Sequence, residues 1–360
     1  LKEFKLKEAG MEELFVILPN TPISDTLDNM MRAAIEGRKY VLVNDAQNIP
    51  NLRNKKLLFI SQVNELGTDL FMLNFLSKIM EKSKECFSGS MGAVLVHSET
   101  EHGTKRTAQD IIFIANRLGC SFIGHPLVEA ISSLKNFLTW QKNLDLSLEE
   151  ICLKNCRELI KRLLEGKFVT LENPKILALY SSPHKTSNTL DLWHMVSRHL
   201  ENYEVKELLI EAGEVKDCHG CAYKLCNHYG KNNRCFYGGI MAEEVLPAIE
   251  KYDAIVWLCP NYNDAVAANL TAVINRLTVL YRQMSFHEKS IFAIIVSGNS
   301  GSDSIAKQLI GALNINKGFK LPPYFSLMAI ANDPKSIFKV EGIEEQSRVF
   351  AENMTIEIKC

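Results

Sequence analysis

The sequence is short of several things, and each shortage excludes something. No apolar run approaches the roughly 18 to 20 residues that span a bilayer, so no membrane-crossing helix is expected. The opening stretch LKEFKLKEAGMEELF has no apolar core of the kind a signal peptide carries, although Leu1 is not expected to be the native start. Charge imbalance is missing too: 41 Lys and Arg face 42 Asp and Glu, a net charge of -1. Neither nucleic acid nor an anionic membrane is therefore favoured as a partner. The P-loop pattern and the glycine-rich dinucleotide fingerprint are both absent.

What is present is ordinary in bulk: 360 residues, 46% hydrophobic and 23% charged, enough for two or three domains with cores of their own. Ten cysteines stand out: Cys86, Cys120, Cys152, Cys156, Cys218, Cys221, Cys226, Cys235, Cys259 and Cys360. A chain of this length does not need disulfides to fold. Four cysteines within eighteen residues suit a metal or redox site in a reducing cytoplasm.

Short apolar runs alternate with helical patterns. The runs are ELFVIL (13–18), KYVLVN (39–44), KLLFIS (56–61), GAVLVH (92–97), KILALY (175–180), VKELLI (205–210), DAIVWLC (253–259) and FAIIVS (292–297). Several are apolar on both faces, as strands of a covered parallel sheet are, so the expected class is α/β with parallel sheets. Residues 147–165 read as one helix, with Ser147 and Glu150 at capping-box spacing and Gly166 as its stop. The expected organisation is a first domain over 1–145, a junction helix over 146–167 and a second domain over 168–360.

The two halves read as copies of one another. LPNTPISDTLDNMM (18–31) lies under SSPHKTSNTLDLWH (181–194), residues 57–76 lie under 255–274, and residues 92–111 lie under 292–311. In the second half, six of the ten residues 180–189 carry a hydroxyl, between a strand and a helix. A loop entering a helix N-terminus is an anion site, because the first-turn N–H groups lack helical partners and the dipole favours negative charge. Ser182, His184, Lys185, Thr186, Ser187, Asn188 and Thr189 form a loop able to surround a phosphate. The plainer reading is a hydroxyl-rich turn with Ser187 or Asn188 as N-cap. Two further loops, CPNYND (259–264) and SGNSGSD (297–303), fall at the same carboxyl sheet edge, where open α/β folds bind ligands. Tyr262 offers an aromatic face or a hydroxyl there, or serves as a half-exposed packing residue.

At these residues the second half resembles the NADPH-dependent FMN reductase and iron–sulfur flavoprotein group of flavodoxin-like proteins, over about 170–330. The family phosphate loop reads roughly G-S-P-R-x-x-S-N-T; this chain has Ser181-Ser182-Pro183-His184-Lys185-Thr186-Ser187-Asn188-Thr189. The next block reads roughly P-V-Y-x-x-x-V-x-x-x-L-K-x-x-x-D-R; here it is Pro260-Asn261-Tyr262, Val266, Leu270-Thr271 and Asn275-Arg276, with Thr271 and Asn275 in place of Lys and Asp. The third flavin loop corresponds to Ser297, Gly298, Asn299, Ser300 and Gly301. The resemblance implies tandem flavodoxin-like doubly wound domains, the first degenerate. It implies that the hydroxyl loop holds the FMN phosphate, while Pro260, Asn261, Tyr262, Asn263, Ser297, Gly298, Asn299 and Gly301 flank the flavin ring.

Cys218, Cys221, Cys226 and Cys235 follow C-x2-C-x4-C-x8-C in a long loop. Thiolate sulfur suits zinc or an iron–sulfur cluster. Iron–sulfur members of the family carry a compact cysteine run here, but with a middle spacing shorter by two and a following Asp pair where this chain has Gly238-Gly239. A [4Fe–4S] cluster, zinc with His219 or His228, and free thiols all stay open. Cys152 and Cys156 are read as sharing one helix face.

In the first half Asp25 stands where the second has Asn188, Pro22 where it has Lys185, and Ser98, Glu99 and Glu101 where it has Gly298, Asn299 and Gly301. A carboxylate beside a phosphate is repulsive and the cation is lost, so this half is expected not to bind FMN. Its His97, His102 and Lys105 read as a solvated loop, a separate active site being the other reading. The expected activity is an FMN-dependent NAD(P)H oxidoreductase, NAD(P)H being the donor and a quinone, flavin, small molecule or electron-transfer protein the acceptor. The alternatives are a non-enzymatic flavin or iron–sulfur electron carrier and a flavin-free protein acting through contacts. A homodimer is the expected assembly, with the internal duplication as the other source of a second copy.

Overall fold

The computed structural model describes residues 13–166, 171–181, 186–211, 213, 215–231 and 235–359. Contacts divide the chain into two compact units, one holding residues up to 111 with 127–166, the other holding 112–126 with 167 onward. Among the described residues no helix is long and apolar enough to cross a membrane.

The first half runs β1 (Leu14–Ile17), α1 (Asp25–Ile35), β2 (Tyr40–Val43), β3 (Lys56–Val63), α2 (Leu70–Lys82), β4 (Ser90–Ser98), α3 (Thr104–Arg117), β5 (Cys120–Ala130), α4 (Leu138–Gln141) and α5 (Leu148–Glu165). Its sheet has the order β2-β1-β3-β4-β5 and is all parallel. The second half runs β6 (Lys175–Tyr180), α6 (Asn188–Ser197), β7 (Glu204–Leu209), α7 (Tyr223–Gly230), α8 (Leu246–Lys251), β8 (Ala254–Pro260), α9 (Ala268–Arg276), α10 (Thr278–Tyr281), β9 (Ser290–Ser297), α11 (Ser302–Leu309), β10 (Ser326–Ile330) and α12 (Ile343–Lys359). Its sheet order is β7-β6-β8-β9-β10, again all parallel. Both orders are the flavodoxin-like 2-1-3-4-5 arrangement, whose direction reverses between the first and third strands of each copy.

Central strands β3, β4, β8 and β9 are buried along nearly their whole length, which is why they read as unbroken apolar runs. In the second unit α6 and α12 cover one sheet face. Trp193, Val196, Phe350 and Met354 pack there on Val256, Phe292 and Ile294. Phe292 and Phe350 meet edge to face at 6.0 Å. Trp193 keeps its indole N–H satisfied by donating to Glu207 Oε1 at 2.7 Å. α12 continues to Lys359 because Met354 and Ile358 extend its buried face.

In the first unit α5 has the capping box read from the sequence, Ser147 and Glu150 each bonding the other's backbone N–H. It packs on α1. Cys152 and Cys156 are buried on its inner face, and the hydrogen bond with Cys152, with burial second, holds the Cys156 thiol well above its usual range. The internal repeat is also visible in the caps. α1 begins at Asp25 after Ser24 and α6 at Asn188 after Ser187, and each serine accepts from the N–H three residues on, Leu27 and Leu190.

Candidate functional site

The loops after β6, β8, β9 and β10 leave the same carboxyl edge of the second sheet. They line a cavity of about 290 Å³ at the point where strand order reverses. Every described residue lining it is uncharged.

Of the first loop, Ser182, His184 and Lys185 lie outside the described residues. Thr186, Ser187, Asn188 and Thr189 line the cavity. Ser187 is the N-cap of α6, its Oγ accepting from Leu190 N at 3.3 Å, which is the plainer reading of this loop. Ser181 Oγ is buried with no hydrogen-bond partner among the described residues. A buried hydroxyl left so costs about 1–3 kcal/mol, and a ligand oxygen would relieve it. Asp191, the acidic side chain in the first turn of α6, is held by Lys335 at 2.8 and 3.0 Å, which offsets the one charge there that opposes an anion.

Asn188 does something the sequence did not suggest. Its Nδ2 donates to Ala331 O at 3.1 Å and Asp333 O at 2.8 Å, and its Oδ1 accepts from Ile337 N at 3.3 Å. The amide side chain clamps the β10 loop to the start of α6, leaving only the backbone of this residue for the cavity.

Pro260, Asn261 and Tyr262 line a second part of the wall. Asn263 and Asp264 both have positive φ, 54° and 55°, between the bridged pair Tyr262 and Ala265. That is the tip of a type I′ turn, where Asn and Asp tolerate the left-handed region. The turn is fixed by Asn261, whose Oδ1 accepts from Asp264 N at 2.8 Å and whose Nδ2 donates to Ser297 Oγ at 2.9 Å and Ser300 O at 2.7 Å. Tyr262 is left 54% exposed, its ring on the cavity wall.

From the third loop only Gly298 reaches the cavity together with Val296 of β9. Ser297 is fully buried beneath it and pairs with Ser302 Oγ at 2.6 Å. Asn299 turns its Oδ1 to Ser300 N at 2.6 Å. Gly301 has φ 86° and sits where a Cβ would come 1.8 Å from Asp264 Oδ1, so it shapes the loop and faces a separate cavity beside β10. Gly301 is needed for its left-handed turn, and Gly298 because Asn332 Oδ1 would lie 2.8 Å from its Cβ.

The fourth loop, with Ala331 and Asn332 on the wall, was not anticipated. Its signal was the turn sequence Asn332-Asp333-Pro334 after a short apolar run.

Residues 174–333 match the family model described as NADPH-dependent FMN reductase. This segment belongs to the NADPH-dependent FMN reductase family. No curated protein sequence matches the chain. Among solved structures, the chain is similar to RosB with a bound 8-demethyl-8-formylriboflavin-5'-phosphate intermediate, at 14% identity and TM-score 0.41, over 52% of this chain and 79% of that one. It is similar to the NAD(P)H:quinone oxidoreductase of Methanothermobacter marburgensis at 12% identity and TM-score 0.38, over 51% and 99%. It is also similar to the azoreductase of Bacillus anthracis at 13% and 0.35, over 52% and 100%.

In the FMN reductase segment, the pair Asn275-Arg276 closes the base of the cysteine loop. Arg276 is buried and donates to Lys216 O at 3.4 Å and Gly238 O at 3.2 Å. Asn275 Nδ2 donates to Asp217 Oδ1 at 2.8 Å. Burial pushes the Cys226 thiol up, opposed by Arg282 and aided by Cys218, Cys221 and Cys235, so the four sulfurs share one neighbourhood. They do not converge: among the described residues no three His, Cys, Asp or Glu side chains are placed to share a metal ion. His219 instead stacks on Tyr237 at 4.1 Å. In this conformation the loop does not fit a [4Fe–4S] cluster or zinc, and binding either requires it to rearrange.

The corresponding edge of the first unit is filled by its own side chains. Ser24 Oγ lies 2.8 Å from His97 Nδ1 and 2.9 Å from Gln62 Oε1, joining the loop after β1 to the ends of β3 and β4. His97 is therefore not in a solvated loop: it is 5% exposed, and burial holds its imidazole below its usual range, against a small opposing pull from Glu99. His102 and Lys105 are exposed as read.

Proposed function

We propose that the second unit binds FMN in the 290 Å³ cavity and that the protein is an NAD(P)H-dependent FMN oxidoreductase. Its acceptor would be a quinone, a flavin, another small molecule or an electron-transfer protein. The observation that carries this is a cavity at the strand-order switch, uncharged among the described residues, opened by the start of α6 beside a Ser181 hydroxyl that has no partner among them, inside the segment that belongs to the FMN reductase family. FMN, when bound, supplies hydride acceptance and electron transfer.

The chain's part is binding and orientation. The α6 N-terminus with Thr186, Ser187 and Thr189 receives the phosphate, joined in this reading by Ser182, His184 and Lys185. Tyr262 presents an aromatic face and Pro260 an apolar edge to the ring. The rigid 261–264 and 297–301 loops, cross-linked through Asn261, set the width of the slot and offer backbone N–H groups. The first unit is proposed to hold no flavin, because the Ser24, Gln62 and His97 network occupies the equivalent edge. A reducing cytoplasm is the proposed compartment, and no disulfide joins any of the nine described cysteines.

The test is anaerobic purification followed by FMN titration and an NAD(P)H oxidation assay with and without a quinone. Flavin fluorescence should quench with one FMN per chain, and NAD(P)H should be consumed. Folded protein that ignores micromolar FMN overturns the reading. FMN binding without NAD(P)H consumption replaces the reductase with an electron carrier.

A further inference from the structure

The asparagine amides around the cavity are not equal. Asn188 is spent on Ala331 O, Asp333 O and Ile337 N, and Asn261 on its turn and on Ser297 and Ser300. Asn269 donates to Ser181 O at 3.2 Å and to Ile210 O. Asn332 differs. It is exposed on the cavity wall, and its amide has no hydrogen-bond partner among the described residues.

Its place is fixed from both sides. Ala331, the preceding residue, is bonded to Asn188 at the start of α6, and Ala331 N donates to Ser297 O at 2.9 Å. On the other side Asn332 Oδ1 lies against the Cα of Gly298, close enough that a Cβ there would be 2.8 Å away. Asn332 therefore stands beside the helix N-terminus, which suits a phosphate, in a cavity whose wall it shares with Pro260 and Tyr262, which suit a ring. Between phosphate and ring in FMN runs a polyol chain. Hydroxyls both donate and accept, and an amide matches them on both counts.

Resting on the FMN reading above, we infer that Asn332 is a binding residue for the polyol chain of the flavin, contributed by the β10 loop, and that Gly298 is glycine to make room for it. The contact makes the site selective for a flavin phosphate bearing hydroxyls along its linker.

The experiment compares FMN with an analogue in which an unsubstituted alkyl chain joins the same ring and phosphate. Dissociation constants are read by flavin fluorescence in wild type, Asn332→Ala, Gly298→Ala and the double variant. Asn332 is exposed, so its truncation leaves the fold intact. The expected result is that Asn332→Ala weakens FMN by about 3- to 10-fold, the range of one hydrogen bond, and leaves the analogue unchanged. Gly298→Ala should weaken FMN in the wild-type background and add little once Asn332 is truncated. Equal losses for FMN and analogue place the contact on phosphate or ring and overturn the inference. So does no loss for either while wild type binds FMN normally. Wild type that binds neither ligand removes the FMN reading itself, and this inference with it.

Discussion

Replacing Asn188 by alanine separates a clamp from a phosphate ligand. The side chain holds three backbone groups, and their surroundings set the cost. Ala331 is 8% exposed and Ile337 0%, so the Ala331 carbonyl and the Ile337 N–H would be left in dry surroundings. Asp333 and Ser336 are more open and can turn to water. Two stranded buried groups at about 1–2 kcal/mol each give a loss of about 2–4 kcal/mol. For a unit of this size about 1 kcal/mol moves the midpoint by about 2–4 °C, so the thermal transition should fall by about 5–15 °C. Asn188→Asp keeps the acceptor for Ile337 but sets a carboxylate against two carbonyls, and should be no better. The assay is thermal unfolding by circular dichroism beside an FMN titration. A variant of wild-type stability that binds FMN poorly would refute the clamp, because the amide would then be acting on the ligand alone.

Gly301→Ala should destabilise the 297–301 loop and weaken FMN, since its φ of 86° costs a non-glycine residue about 1–2 kcal/mol and its Cβ meets Asp264. Adding Asp264→Ala should return the steric part, measured as a partial recovery of FMN affinity. Arg276→Lys cannot span both Lys216 O and Gly238 O, so chymotrypsin should cut within 216–238 several times faster than in wild type. The imidazole of His97 is held below its usual 6.5 by burial, so the unfolded state binds more protons just below that pH. Stability is full above pH 6.5 and is lost as pH falls towards the lowered value. His97→Asn should flatten the dependence of the melting temperature between about pH 7 and 5.

The α/β class and the doubled domain were legible because buried parallel strands leave unbroken apolar runs, and because Ser24-Asp25 and Ser187-Asn188 cap equivalent helices. The fifth strand of each sheet was not. In β5 the run is broken by Gly124-His125-Pro126, with His125 at φ 51°. β10 is five residues of mixed burial behind Pro322-Pro323. Missing β10 hid its loop, and with it Asn332. Asn188 could be placed at a helix start from sequence, but the direction of its amide depends on a loop more than 140 residues away. The spacing of Cys218, Cys221, Cys226 and Cys235 was plain, whereas spacing alone does not say whether the sulfurs converge, and among the described residues they do not. His97 was misread because nothing local announces that Ser24 and Gln62 will close over it.

On the proposed reading, the Ser24–Gln62–His97 network gives the two copies different dependence on coenzyme supply. A groove that accepts a ligand is strengthened in proportion to the logarithm of free ligand over its dissociation constant. A groove stitched shut by its own side chains gains nothing from it. If the second unit holds FMN as proposed, then under flavin starvation the amino-terminal copy should keep its full resistance to unfolding while the carboxyl-terminal copy softens, and proteases in such a cell would meet the latter first.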